Sequence, residues 1–264
     1  MAGRFGCRVE HVRGEPQRAT LVVAGPAGED TIEAALAVVA DGSGTRVDGV
    51  QRSRREYGQS ALVASVWRDR PHDGIAYERF TSEGPVALLP EGDHYGLVWT
   101  LAPDRVEPMC ALDDTAFLAA LSLHFGRRVG GFTRVAARRA FPLVLETARP
   151  VVTSRVVLVG NAAQQVHPVA GQGFNLGMRD AFELARTLSA VPAASVGDAS
   201  TLARYAGARG SDRAATIAFT HGLVRTFGNA FAPARVSRGL ALALLDTLPF
   251  AKRAFMRTML HGLR

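Results

Sequence analysis

Residues 156–180 read VVLVGNAAQQVHPVAGQGFNLGMRD, and this stretch decides the fold. Residues 156–159 form a short β-branched apolar run, the pattern of a buried strand. The run stops at Gly160-Asn161. A polar loop with His167 and Pro168 follows, then Gly171-Gln172-Gly173. An amphipathic pattern then predicts a helix from near Phe174 to about Leu188. Strand, glycine-rich loop and helix start together make an anion-receiving site. The first helical N–H groups lack partners and carry partial positive charge. Gly171 and Gly173 put no side chain between a ligand and the backbone.

This stretch resembles the second flavin-contacting motif of the FAD-dependent aromatic hydroxylases, the class A flavoprotein monooxygenases. Within that family it is most similar to the polyprenyl-6-methoxyphenol hydroxylases of ubiquinone biosynthesis. The wider family usually carries Gly-Asp followed by Ala-Ala-His. This chain has Gly160-Asn161-Ala162-Ala163-Gln164, continuing through His167-Pro168 to Gly171-Gln172-Gly173-Phe174-Asn175-Leu176-Gly177, close to the ubiquinone subgroup. The resemblance implies FAD as cofactor, NAD(P)H as reductant, and no metal.

Apolar content of 47% and charged content of 21% are globular values, and 264 residues suffice for one large or two small domains. Net charge is +7, carried almost wholly by arginine, with Lys252 the single lysine. Such charge is either a compositional bias or an attraction to anionic surfaces. No RNA-binding aromatic signature or zinc-finger spacing accompanies it, so nucleic acid is not an expected partner. Cys7 and Cys110 are too few and too far apart for a disulfide scaffold or metal site, which fits a reducing cytosol. No apolar run reaches 18 residues, and the first fifteen residues have no apolar core of a secretory signal.

The rest of the chain reads as strands first and helices last. Residues 7–12, 19–24, 33–40, 60–68, 75–80, 86–89, 95–101 and 140–145 read as strands, and residues 113–125 as a helix with an Asp113-Asp114 start and a Gly126 stop. From 174 onward the pattern is helical, broken near Pro192, Pro233 and Pro249. The expected fold is mixed α/β: an incomplete doubly wound FAD-binding domain, a sheet-rich substrate domain and C-terminal helices. The expected boundaries are residues 1–50 (partial FAD-binding domain), 51–150 (substrate domain), 151–190 (second flavin motif) and 191–264 (helical region). The family opens with a βαβ unit carrying G-x-G-x-x-G for the ADP half of FAD. This sequence contains no such motif. The expectation is a fragment of a longer protein or a naturally truncated copy, the former favoured, with poor stability and weak or no FAD binding by these residues alone.

Asp41-Gly42 follows an apolar run. An ordinary turn explains it, while the resemblance implies a turn closing over FAD and NAD(P)H. The family pattern then expects a small hydroxyl residue, met by Thr45, and an arginine, where Asp48 stands instead; Arg46 is near but out of register. Asn161 holds the position of a family carboxylate that accepts a hydrogen bond from the flavin ribityl chain, and its carbonyl oxygen can do the same without charge. By resemblance, residues 171–175 (Gly171, Gln172, Gly173, Phe174, Asn175) lie beside the isoalloxazine ring, and Pro168 fixes the loop's approach. His167 is either a catalytic base for the phenol proton or a hydrogen-bonded loop histidine. His94 and His124 read as surface or packing residues. Leu89 and Pro90, by resemblance, lie near the aromatic pocket; sheet core is the other reading of Phe80, Leu88, Leu89, Val98 and Trp99. The last forty residues hold seven Lys/Arg and one acid, Asp246, interleaved with Leu240, Leu244, Leu245, Leu248, Phe250 and Phe255. They form either a membrane-facing amphipathic surface or packed helices with a basic outer face.

The expected function is hydroxylation of a polyprenyl phenol by molecular oxygen, in the cytoplasm, peripheral to the inner membrane or within a ubiquinone-biosynthesis complex. A non-catalytic truncated paralogue serving as a binding or scaffold subunit is the alternative. A serine or metal hydrolase has no support: G-x-S-x-G, H-E-x-x-H and C-x-x-C are all absent.

Overall fold

The computed structural model describes residues 3–42, 44–227, 247–250, 252–253, 256–257 and 262. The chain divides into two units: one takes the chain up to Arg55 together with Leu145–His221, the other takes Glu56–Val144.

The first unit begins with β1 (Arg8–Gly14), β2 (Ala19–Gly25) and β3 (Gly28–Ala34), joined by tight turns into an antiparallel meander. Next come β4 (Ala37–Val39) and β5 (Arg46–Val47); β5 runs parallel to β1. Residues 33–40 were expected to form one strand, and they split. Residues 33–34 finish the β2–β3 hairpin, and 37–39 leave for a different sheet. The polar sequence of β3, GEDTIEA, escaped the pattern because it is an edge strand, exposed along most of its length.

The second unit is a sheet backed by helices. The long β6 (Gln51–Arg68) leads into it, followed by β7 (Tyr77–Phe80), β8 (Pro85–Glu91) and β9 (His94–Leu101), with a tight turn joining Glu91 to His94. The helices are α1 (Pro103–Ala111) and α2 (Asp114–Phe125). Asp113 caps α2 by accepting the Ala116 N–H at 2.8 Å, and Gly126 ends it at φ 58°. Helix α1 went unread because it holds two prolines; Pro103 sits at its start, where no N–H is needed. Both helices bury apolar faces, with Phe117 edge-to-face on Trp99 at 5.9 Å in a core that includes Leu62, Val86, Leu88, Leu97 and Leu121. The sheet closes with β10 (Phe132–Arg149), 18 residues long where residues 140–145 were expected. Its first half is arginine-rich and mostly exposed, and Ala137 interrupts the alternation at φ +54°.

The chain then returns to the first unit. A short hairpin of β11 (Val152–Thr153) and β12 (Val156–Leu158) sets β12 in parallel beside β4. β13 (Gln164–Gln165) pairs with the end of β10. Two helices follow, α3 (Gln172–Ser189) and α4 (Ala199–Phe227). The residues of β12 are wholly buried, on one side with Val12, Val39 and Ala162, on the other with Leu184, Leu202 and Tyr205. A near-continuous apolar run is what a parallel strand covered on both faces requires. Pro233, Leu240, Leu244, Leu245 and Phe255 of the basic C-terminal pattern lie outside the described residues.

Candidate functional site

The two sequence motifs meet through strand pairing. Val38 is opposite Val157 and Val39 opposite Leu158 in a parallel ladder, and Val159 donates its N–H to the Val39 carbonyl at 3.0 Å. Parallel strands end at the same edge. The turn Asp41-Gly42 therefore leaves that edge beside the loop Gly160-Asn161. Ligands of open α/β sheets bind outside the carboxyl ends of the strands.

Each side of this edge is shaped locally. Gly42 turns at φ +88°, and Thr45 donates its hydroxyl proton to the Asp41 carboxylate, which leaves Asp41 exposed but oriented. Asp48, where the family pattern expects arginine, is occupied elsewhere: it accepts from His11 Nε2 at 2.7 Å and Arg13 Nε at 3.2 Å. These two hydrogen bonds hold its carboxyl below the ordinary range. Arg46 is exposed on β5. Gly160 takes a left-handed φ of +59° and starts a short 3-10 turn, Gly160–Ala162. Ala162, Ala163 and Gln164 are buried; Asn161 is exposed.

Helix α3 then arrives end-on. Gly171 is its N-cap, left-handed at φ +61°. A Cβ built there meets nothing within 4 Å, so the space before the helix start is open. Gln172 is buried, Gly173 and Asn175 are half-buried, and Phe174 is 75% exposed. The helix starts two residues earlier than the sequence pattern suggested, because Gln172 already packs inward. Gly177 lies against Gly160: a Cβ on Gly177 would stand 3.3 Å from the Gly160 Cα. Two backbones thus touch, which draws the helix start toward the Asn161 loop.

His167 is buried, and its Nδ1 accepts the Val169 N–H at 3.1 Å. Burial lowers its pKa to about 4, so the ring is neutral at physiological pH. The accepting Nδ1 makes Nε2–H the tautomer. Pro168 is exposed and precedes the 3-10 turn Val169–Gly171. Leu89 and Pro90 belong to the other unit. They face Gly96 and Tyr95 across the β8–β9 ladder, with Leu89 about half exposed on the side opposite the Val86 and Leu88 core. His94 stacks on Trp67 at 4.7 Å, and His124 meets the Trp99 ring edge-to-face at 4.9 Å.

Sequence reasoning missed a buried ionic group behind the loop. Asp180 on α3 is 1% exposed and accepts from the Gly160 N–H at 3.1 Å, Gln164 Nε2 at 2.7 Å and Arg209 Nε at 2.8 Å. Arg209 also donates to Asp212 at 2.6 Å, and Arg179 Nε lies 3.1 Å from the same carboxylate. Burial works against the Arg209 charge, yet its hydrogen bonds to Asp180 and Asp212 hold its pKa above the ordinary value. The available signal was the pair Arg179-Asp180 inside an otherwise apolar helix stripe. A charge on a core-facing position demands a buried partner.

These features fit a flavin. Asn161 offers an exposed carbonyl acceptor, the α3 start sets a helix N-terminus behind the open position at Gly171, and Gly160 and Gly177 pack where side chains would separate them. A family model described as FAD binding domain matches residues 3–220. The chain belongs to that FAD-binding family. Relatives include ubiquinone hydroxylase UbiL of Rhodospirillum rubrum, 38% identical over 89% of this chain and 56% of that protein. The 3-demethoxyubiquinol 3-hydroxylase of Escherichia coli is 33% identical, covering 87% of this chain and 60% of its own length. Human ubiquinone biosynthesis monooxygenase COQ6, mitochondrial, is 30% identical over 86% of this chain and 57% of that protein. The chain thus spans little more than half the length of these relatives. The fold is shared with p-nitrophenol 4-monooxygenase PnpA of Pseudomonas putida, at TM-score 0.76, 19% identity, 99% of this chain and 68% of that one. It is shared also with HpxO of Klebsiella pneumoniae complexed with FAD, at TM-score 0.71, 18% identity, 98% of this chain and 68% of that one.

Proposed function

We propose that the chain forms part of an FAD-dependent aromatic hydroxylase acting on an electron-rich polyprenyl phenol of ubiquinone biosynthesis. The observation that carries this reading is the meeting of Asp41-Gly42 and Gly160-Asn161 at the carboxyl ends of two adjacent parallel strands. The family membership and the ubiquinone hydroxylases among the relatives support it. The overall balance is one phenol, O₂, NAD(P)H and a proton giving the hydroxylated ring, water and NAD(P)⁺.

Bound FAD would supply the redox chemistry, taking electrons from NAD(P)H and activating oxygen. The protein's residues position and tune. The Asn161 carbonyl oxygen would accept a hydrogen bond from a ribityl hydroxyl, a contact weaker than the charge-assisted one a carboxylate would make. The N–H groups at the α3 start, from Gln172 to Asn175, face negative charge on the ring without reorganising. His167, neutral and bound through Nδ1 to the Val169 N–H, holds the loop's shape rather than serving as the phenol's base. Leu89, half exposed beside Pro90, offers apolar surface of the kind a polyprenyl phenol requires. Among the described residues no helix is long and apolar enough to cross a membrane. Access to a lipid-soluble substrate then falls to a peripheral surface, for which the basic, apolar C-terminal segment is the candidate.

The test is a flavin assay followed by turnover. These residues alone, and the same chain extended by whatever in-frame segment exists upstream, are mixed with FAD and desalted; the extended form is expected to keep the flavin absorbance bands. NAD(P)H oxidation is expected to rise on adding a short-chain polyprenyl phenol, with one oxygen atom gained by mass spectrometry. Retained flavin without turnover would replace the enzyme reading with that of a binding subunit. No retained flavin in either form would remove the cofactor assignment.

A further inference from the structure

Three side chains, one each from β6, α3 and α4, grip the segment 160–164, and each grip falls on a residue other than Asn161. Asp180 takes the Gly160 N–H and the Gln164 side chain. Arg52 donates to the Ala162 carbonyl at 3.1 Å and pairs with Glu146 at 3.4 Å. Arg213 donates through one nitrogen to the carbonyls of Ala163 at 2.8 Å and Ala148 at 2.9 Å. Asn161 lies in the middle of this grip with its side chain in solvent.

Such an arrangement is costly unless it holds a shape. Burial, with Arg149 and Arg209 nearby, pulls the Arg213 pKa down, and its guanidinium donates to one loop carbonyl, Ala163, and to the Ala148 carbonyl at the end of β10. Asp180 is buried to 1% and spends its charge on one loop N–H, one loop side chain and one arginine. An apolar core of the same volume would stabilise the unit at least as well. The geometry is explained by what it orders: the left-handed Gly160, the direction in which Asn161 leaves the loop, and its registry with the α3 start through Gly177.

We propose that Asp180, seconded by Arg213 and Arg52, is a positioning residue that presents Asn161 to the flavin. Asp180 sits on the same helix whose first turn faces the ring, so one carboxylate sets the distance between both flavin-contacting elements. This rests on the proposed flavin site, but its first test does not need flavin.

The experiment compares the wild type with Asp180→Asn and Gln164→Met by hydrogen exchange. Gln164→Met removes one donor and keeps the Asp180–Arg209 pair, so it reports even if Asp180→Asn fails to fold. The expected result is at least tenfold faster exchange of the Gly160 and Ala163 amides, with the amides of β9 and the C-terminal half of α3 unchanged. Unchanged Gly160 exchange in both variants, or an equal acceleration throughout the chain, would overturn the proposal. The second arm measures FAD affinity across the cycle of Asn161→Ala, Gln164→Met and the double variant. A double variant no weaker than Asn161→Ala alone is expected, because Gln164 acts through Asn161. Multiplying losses would also overturn it. FAD affinity in this arm is measured on the chain extended by any in-frame upstream segment; an extended wild type that binds no FAD would remove the proposed function and leave the exchange result to decide the positioning of the loop.

Discussion

Val159 donates its N–H to the Val39 carbonyl at 3.0 Å, closing the parallel β4–β12 ladder that brings two loops about 120 residues apart in sequence to one sheet edge. Without it Asp41-Gly42 is an ordinary turn and Gly160-Asn161 an ordinary strand end. The consequences below follow from that edge and from the helix that meets it.

Asn161 is exposed, held at both sides, and offers an uncharged acceptor. Asn161→Ala is expected to weaken FAD binding about fivefold to tenfold, the worth of one neutral hydrogen bond of ~1 kcal/mol. Asn161→Asp is expected to tighten it, since a charge-assisted bond is stronger. Fluorescence titration with FAD measures both; an alanine variant that binds as tightly as wild type would falsify the contact.

Gly177→Ala sets two effects against each other. Alanine favours a helix by up to ~1 kcal/mol over glycine. The new methyl, however, stands 3.3 Å from the Gly160 Cα, and Gly160 cannot retreat because Asp180 holds its N–H. Overpacking costs about 1–3 kcal/mol, so a net loss of about 1 kcal/mol is expected in urea unfolding. Gly171→Ala has open space but a left-handed backbone, and is expected to cost roughly 1 kcal/mol through strain alone. A gain in stability for either would contradict the packing described.

The buried His167 makes stability depend on pH. Its native pKa of about 4 lies below the ordinary value of 6.5, so the unfolded chain binds the extra proton first. The contribution is complete above pH ~6.5, falls as pH drops from there to about 4, and is constant below, amounting to roughly 3 kcal/mol in all. His167→Asn keeps an acceptor where Nδ1 stands and removes the titration. Urea midpoints of wild type and variant are expected to separate at pH 7 and converge toward pH 4.5. Parallel pH profiles would show that His167 is not the group responsible.

Helix α3 also carries a patch of apolar side chains in solvent. Phe174, Met178 and Phe182 are 75%, 55% and 59% exposed, with Ala181 and Ala185 exposed beside them. A contiguous exposed apolar patch of this kind marks a contact surface. Val38, at the centre of β4, is 47% exposed on a strand at the edge of its sheet. These residues alone are expected to associate as concentration rises, and Met178→Glu with Phe182→Glu is expected to reduce that association. Light scattering from 5 to 100 μM (about the range where such patches act) reads it; a concentration-independent monomer in both would remove the argument.

The strand, loop and helix of residues 156–189 were legible because their signals are local. A β-branched run, glycines and an amphipathic period each depend on residues close in sequence, and residues 156–189 folded as strand, loop and helix accordingly. The same locality made the Asp113 cap and the Gly126 stop readable. Where local signals are weak the pattern misled: β3 is an exposed polar edge, half of β10 is arginine-rich, and α1 carries prolines.

Three arrangements were decided by tertiary structure alone. The parallel pairing of β4 with β12 joins residues far apart, and no local pattern specifies which strands become neighbours. The depressed pKa of His167 comes from burial, which the sequence of a polar loop does not announce. Asp180 looks in sequence like an ordinary charged helix residue. Its carboxylate becomes the pin of the loop only once Gly160, Gln164 and Arg209 converge on it in a place that water does not reach.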